Sequence, residues 1–246
     1  MFKAFVEDAK NLKYIIDSIS ELADEVFFSI NKDELLMEAC DPSLVCKVEL
    51  TLLREFFKEF STKNDLNFWV DLNTLSKISK RIKLGDSLRM DVLENSFCVV
   101  LKSLVERRFE STLLEGLEER LPIIDTNYET SIEMDSTTFR EGIRDVAIIG
   151  NTAIFELDEK ELKITSEGET GKVRIRIEKE NQSVKSFKVK KPCSARFNLS
   201  YLMSFLRSSY ISDSVFISLK EENLPLKLEL PLESGGLVFY LAPMEI

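Results

Sequence analysis

Histidine is missing from this chain of 246 residues, and that absence narrows the chemistry more than any residue present. Without it neither Ser-His-Asp nor Cys-His catalysis can be assembled, and the commonest metal-ligand combinations are closed. The four cysteines, Cys40, Cys46, Cys98 and Cys193, lack the paired short spacings of a zinc site. Cys98 lies in the apolar run Phe97-Cys98-Val99-Val100-Leu101 and reads as a core thiol. Neither a metal, a cofactor nor a disulfide is expected. No Gly-x-x-x-x-Gly-Lys loop and no Gly-x-Gly-x-x-Gly occurs, so nucleotide binding has no visible seat. No apolar run approaches the ~20 residues needed to cross a bilayer. The opening Met1-Phe2-Lys3-Ala4-Phe5-Val6-Glu7-Asp8 has neither the basic nor the long apolar region of a signal peptide. An intracellular chain with no membrane partner is expected.

What is present is a duplication. Asp71-Leu72-Asn73-Thr74-Leu75 reappears as Asn198-Leu199-Ser200-Tyr201-Leu202, an offset of 127 (198 − 71). Val26-Phe27-Phe28-Ser29-Ile30 with Glu34-Leu35 answers at the same offset to Ala153-Ile154-Phe155-Glu156-Leu157 with Glu161-Leu162, Asp8 to Asp135, and Asp86 to Asp213. A constant shift over so long a span implies two copies of one fold. The middle stretch, 47 to 62 against 174 to 189, matches in length only. With 44% hydrophobic and 31% charged residues each copy can build a core. We expect domains at 1–114 and 128–246, joined by a connector over 115–127.

Each copy reads as α+β: antiparallel strands with two helices on one face. Strands are expected at Phe2 to Val6, Val26 to Ile30, Leu35 to Ala39 and Val45 to Leu50, then at Tyr128 to Met134, Ala153 to Leu157, Leu162 to Thr165 and Lys172 to Ile177. Helical stripes run Leu12, Ile15, Ile16, Ile19 and Phe139, Ile143, Val146, with Asp8 and Asp135 as caps. A second helix follows Asp71 or Asn198, and closing hairpins turn near Glu94-Asn95 and Glu221-Glu222-Asn223. The connector carries an apolar cluster, Leu121-Pro122-Ile123-Ile124, that a plain linker does not need.

The formal net charge is −10, yet every helix carries cations on the side that does not pack. These are Lys10 and Lys13, then Lys77, Lys80 and Arg81, then Arg140 and Arg144, and finally Arg207. Lys13 matches Arg140, and Lys80 matches Arg207, at offset 127. Asp17 weakens the field of Lys13, one turn away. No aromatic residue interleaves these cations in the way base-stacking sites require, which argues against single-strand stacking and for salt-sensitive phosphate contact without base readout.

The ending Val238-Phe239-Tyr240-Leu241-Ala242-Pro243, with Cys40-Asp41-Pro42-Ser43-Leu44-Val45, Leu72-Asn73-Thr74-Leu75-Ser76-Lys77-Ile78-Ser79-Lys80 and Ile148-Ile149-Gly150-Asn151, resembles the sliding clamps of the proliferating cell nuclear antigen family. The resemblance spans essentially the whole chain. It is nearer the archaeal type, because the chain stops at Ile246 without an acidic tail. It implies a ring-forming trimer of six similar domains around duplex DNA, in an archaeal cytoplasm or nucleoid. Lys13, Lys77, Lys80, Arg144 and Arg207 then face the hole; Lys10, Arg81 and Arg140 join them from helix phase alone. It also implies a peptide pocket built from Cys40, Leu44, Val45, Lys47, Leu121, Pro122, Ile123, Ile124, Pro225, Tyr240, Leu241, Ala242 and Pro243. DNA polymerase, flap endonuclease and DNA ligase would insert a Gln-anchored peptide there, and a clamp loader would open the ring. Lys47 stands where many relatives carry an apolar residue, and Ile124 where proline is common.

By the same resemblance subunits join through edge strands. Phe109, Ser111 and Leu113 on one side would meet Val173, Arg174, Ile175, Arg176 and Ile177 on the other. Arg107 and Arg108 against Arg174 and Arg176 make a poor like-with-like match, which favours unlike neighbours in the ring. Two other readings compete: an adaptor that recruits DNA enzymes without encircling DNA, and a carboxylate-dependent hydrolase or metal-dependent nuclease. The 43 acidic residues show no cluster at ligand spacing to support the last.

Overall fold

A computed structural model describes residues 2–115, 121–122, 124, 127–220 and 224–244. The chain forms two compact units, Met1–Pro122 with Leu232–Leu237, and Ile123–Pro231 with Val238–Ile246. In the first, β1 (Phe2–Val6), α1 (Lys10–Ile19), β2 (Glu25–Ile30), β3 (Glu34–Cys40), β4 (Cys46–Leu53), β5 (Glu59–Thr62), β6 (Leu66–Asp71), α2 (Leu72–Ser79), β7 (Ser87–Leu93), β8 (Ser96–Lys102) and β9 (Glu106–Thr112) follow in order. The second repeats this with β10 (Thr130–Asp135), α3 (Ser136–Ala147), β11 (Thr152–Leu157), β12 (Glu161–Gly168), β13 (Gly171–Glu178), β14 (Val184–Lys188), β15 (Cys193–Asn198), α4 (Leu199–Ser208), β16 (Ser214–Leu219), β17 (Leu226–Leu232) and β18 (Gly235–Leu241). Strand order β5-β1-β7-β8-β9 in one unit matches β14-β10-β16-β17-β18 in the other, and β4-β3-β2-β6 matches β13-β12-β11-β15.

Strand alternation builds each core. In β3, Leu35, Met37 and Ala39 point inward while Leu36, Glu38 and Cys40 are half exposed. The first core lies where α1 and α2 (Leu12, Ile16, Leu75, Ile78) meet Phe28, Leu35, Met37 and Leu52 on one side and Leu88, Met90, Phe97 and Val99 on the other. Phe28 stacks on Phe68 with ring centroids 5.1 Å apart. In the second unit Phe205 meets Phe139 at 6.2 Å and Phe239 at 4.8 Å, both edge to face. Each buried ring contributes about 1.5–3 kcal/mol.

The helix starts reveal the duplication atom by atom. The Ala9 amide donates to the Asp86 carbonyl at 3.0 Å and the Ser136 amide to the Asp213 carbonyl at 3.1 Å. Leu72 donates to Asp24 at 2.8 Å and Leu199 to Asn151 at 2.9 Å. Asp71, Asp135 and Asn198 cap α2, α3 and α4 through their side chains, each worth ~1 kcal/mol. Asp8 departs from expectation. The N-cap of α1 is Ala9, and the Asp8 carboxylate instead accepts from the Lys10 amide at 2.9 Å. Two further strands, β5 and β14, escape the sequence reading, β10 starts at Thr130 instead of Tyr128, and the turn expected near 221–223 lies outside the described residues.

The copies differ most in one turn. Between β3 and β4 the chain needs residues 41–45, whereas β12 and β13 are joined by 169–170 alone. Asp41 shapes the longer turn: its carboxylate accepts from the amides of Ser43 (3.1 Å), Val45 (2.7 Å) and Cys46 (2.5 Å). The turn leaves Leu44 at φ 56°, in the left-handed region, with 68% of its surface exposed.

Asp86 is wholly buried and accepts from the Lys83 amide at 2.7 Å and from the Arg107 guanidinium. Burial alone would raise its carboxyl, but the Lys83 amide and Arg107 outweigh this and hold it below the usual range. Its stabilising contribution is therefore present above the unfolded carboxyl value and lost as pH falls through the lowered folded one. Replacing Arg107 with Met strands a buried carboxylate and should cost about 3 kcal/mol at neutral pH. Urea unfolding at fixed protein concentration checks this; the deficit should shrink as pH falls through the lowered carboxyl value, where the carboxyl takes up a proton.

Candidate functional site

Sorting the helix cations by their surroundings separates two kinds. Lys10, Lys77, Lys80, Arg81, Arg144 and Arg207 are exposed. Lys77 sits in the last turn of α2, Lys80 is its C-cap, and Arg81 lies in the turn beyond, because the helix ends at Ser79. Helix phase expects all three on one helical face; all three are exposed, and Lys77 alone lies within the helix itself. Lys13 is half-buried: its ammonium lies 3.2 Å from Asp17 and donates to the Ser79 carbonyl at 3.3 Å, tying α1 to the end of α2.

Arg140 is corrected outright. It is only 7% exposed, with its guanidinium donating to the Ser209 hydroxyl at 3.1 Å and to Thr137 at 3.0 Å. Its charge also lies 4.1 Å from the centre of the Tyr210 ring, a cation–π contact. The cause is tertiary: the turn Ser209–Ile211 after α4 folds over it, which helix phase within α3 does not register. Tyr210, half open to solvent, accepts from Arg144 at 3.0 Å, and Arg144 also meets Glu141 at 2.7 Å. An aromatic ring thus stands between two arginines after all, brought there from 66 residues away.

The residues proposed for a peptide pocket divide between the units. In the first, Cys40 and Val45 are half-buried and Leu44 is exposed. Burial, with the charge of Asp41, pushes the Cys40 thiol up to about 11. Leu121 and Pro122 are half-buried, and Ile123 lies outside the described residues. Lys47 is 5% exposed, paired with Glu38 at 2.8 Å and Glu49 at 2.7 Å, and it donates to the Pro122 carbonyl at 2.9 Å.

In the second unit Ile124, Ala242 and Pro243 are half-buried, as is Pro225, whose carbonyl accepts from Tyr128 at 3.0 Å. Tyr240 and Leu241 are each 3% exposed, so they pack in the core and do not offer an open wall. Beyond β18 the Met244 amide donates to the Arg196 carbonyl at 2.8 Å.

Among the described residues no strand pairs with the outer sides of β9 and β13. Phe109 and Ser111 share the half-buried row of β9, and Leu113 follows beyond its end. Val173 and Ile175 are half-buried on β13, and Ile177 is buried. The cations of these edges are largely answered within the chain. Arg107 is turned onto Asp86, Arg108 pairs with Glu110 at 2.7 Å, and Arg176 with Glu161 at 2.7 Å; Arg174 stands exposed. The like-charge argument for unlike neighbours loses most of its footing. All four cysteines are free, and no group of three or more Cys, Asp or Glu able to hold a metal ion occurs among the described residues.

Comparison with known proteins agrees with this two-unit geometry. The family model for the N-terminal domain of proliferating cell nuclear antigen matches residues 1–115, and that for the C-terminal domain matches residues 122–245. The chain belongs to the proliferating cell nuclear antigen family. It is 32% identical to DNA polymerase sliding clamp 1 of Pyrobaculum aerophilum, over 96% of this chain and 95% of that one. It is 30% identical to DNA polymerase sliding clamp 1 of Aeropyrum pernix, over 96% and 97%, and 26% identical to the DNA polymerase sliding clamp of Thermofilum pendens, over 98% of both.

Within this family member Arg140 is a structural cation. Arg140→Met should cost about 2–4 kcal/mol in urea unfolding, through the lost charged hydrogen bonds and ring contact. Lys77→Ala, on an exposed face, should stay within about 0.5 kcal/mol of wild type.

Proposed function

We propose that this chain is the subunit of a DNA sliding clamp: three copies close a ring around duplex DNA, hold it without reading bases, and tether DNA enzymes. Membership of the family over both halves supports this reading. The observation that carries it is the pair of exposed cations Lys80 and Arg207, at matched positions one repeat apart, each at or near the end of its unit's second helix and joined by Lys77 and Arg144. Exposed, mobile cations exchange phosphates at little cost, so a closed ring slides where a tight site would stall. With a net charge of −10, the rest of the surface repels DNA and concentrates contact on these helices.

The free edges of β9 and β13 are the proposed seams between subunits, where pairing satisfies backbone groups that otherwise invite aggregation. The connector and Leu44 are the proposed docking place for a Gln-anchored peptide from polymerase, flap endonuclease or ligase, with a clamp loader needed to open the ring. No catalytic step is assigned to the chain, and its place of work is at intracellular DNA.

Light scattering should give a mass near three times 28.3 kDa for the chain alone; a monomer that reaches that mass only with other clamp chains would make the ring mixed. Retention should be long on closed circular DNA and short on linear DNA with open ends, and equal retention on both would favour the non-encircling adaptor. Replacing Lys77, Lys80, Arg144 and Arg207 with Ala should leave the mass unchanged. The slope of log affinity against log salt should fall by roughly one unit per cation that meets a phosphate.

A further inference from the structure

We propose that Lys47 is a latch that fixes the connector onto the first unit and is thereby a positioning residue for peptide docking; the docking half rests on the function proposed above, the latch does not. Strand alternation puts Lys47 on the same row of β4 as Glu49, Thr51 and Leu53, which are all partly or fully open to solvent. Lys47 alone on that row is buried, and among the described residues its ammonium reaches 75 residues along the chain to the carbonyl of Pro122. An ammonium has three protons, and here each has one acceptor: Glu38 at 2.8 Å, Glu49 at 2.7 Å and the Pro122 carbonyl at 2.9 Å.

The arrangement is specific in both directions. Glu38 and Glu49 stand directly opposite one another across the β3–β4 ladder, where two carboxylates repel. Lys47 is their common counter-ion, which makes its position on the sheet insensitive to small movements. Pro122 has no amide proton, so its carbonyl is the one main-chain group it can offer, and Lys47 takes it. An apolar side chain at this position could lie under the connector, but it could not select one carbonyl; a charged donor does. Burial lowers the lysine's proton affinity, yet the two carboxylates outweigh burial and the net shift is upward, so the ammonium stays charged at neutral pH.

Hydrogen–deuterium exchange of the full chain in its native oligomeric state tests the latch. In Lys47→Met, peptides covering residues 114–128 should exchange about 10-fold faster, the effect of losing one charged hydrogen bond, while peptides from β7 and β8 stay as in wild type. Lys47→Met also leaves two carboxylates facing each other. A triple variant, Lys47→Met with Glu38→Gln and Glu49→Gln, removes that repulsion and should keep the fast exchange at 114–128. Unchanged exchange there in both variants overturns the latch, as does wild-type protection regained in the triple variant, which would trace the effect to repulsion. Fluorescence anisotropy with a labelled Gln-x-x-Leu-x-x-Phe-Phe peptide tests the positioning role. Binding at least several-fold weaker in the triple variant is expected, and equal binding overturns that role. If the peptide fails to bind the wild type at all, the docking reading falls while the exchange data still decide the latch.

Discussion

Each helix of this chain begins by giving an amide to the carbonyl that stands just before a strand, and the rest of each unit is arranged around those four bonds. Ala9 to Asp86, Leu72 to Asp24, Ser136 to Asp213 and Leu199 to Asn151 are the same two links made twice. A helix start leaves several amides without intrahelical partners. Meeting one of them from a strand end fixes both where the helix begins and which way it leaves the sheet. Once start and direction are set, 3.6-residue periodicity decides which side chains enter the core and which remain outside. The exposed positions of Lys77, Arg144 and Arg207 are consequences of that geometry.

The duplication holds where helices meet sheets and breaks where the first unit carries its additional turn. From β4 to β5 the offset between copies becomes 125, because residues 41–45 do the work that 169–170 do in the second unit. Asp41 spends its carboxylate on three amides of that turn, which leaves Leu44 exposed. A symmetric pair of units would offer two equivalent surfaces. The longer turn and the hydrogen bond from Lys47 to Pro122 make the first unit different from the second.

Local patterns made much of this legible in the residues alone. The helical stripes, the alternation of β3, the caps at Asp71, Asp135 and Asn198 and the offset of 127 are all properties of short windows or of their comparison. What escaped depends on residues far apart in the chain. Arg140 reads as an outward cation within α3, and only Ser209 and Tyr210, some 70 residues on, bury it. Arg107 reads as an edge charge until Asp86 is seen to hold it. Lys47 reads as one residue of an implied pocket until Glu38, Glu49 and Pro122 are seen to hold it. Tyr240 sits in a motif associated with docking, yet its side chain belongs to the core. The strands β5 and β14 were missed for a different reason: the change of offset from 127 to 125 hides them from a comparison at fixed shift.

These cases share a rule about charge that composition cannot express. Some cations are enclosed by fixed partners, as Lys47, Arg107 and Arg140 are, and others stand on exposed helix faces, as Lys77, Arg144 and Arg207 do. Enclosed cations are held by fixed partners, so they shape the fold. Exposed ones keep most of their reach. Arg144 shows the intermediate state: it rests on Glu141 and Tyr210, but on an exposed surface such pairs are worth at most ~1 kcal/mol. A phosphate arriving from solution can therefore displace them, and on departing leaves the arginine with partners to return to. Weak holding of the resting cation lowers the cost of each exchange, which is the property a protein needs if it is to move along a charged polymer without stopping.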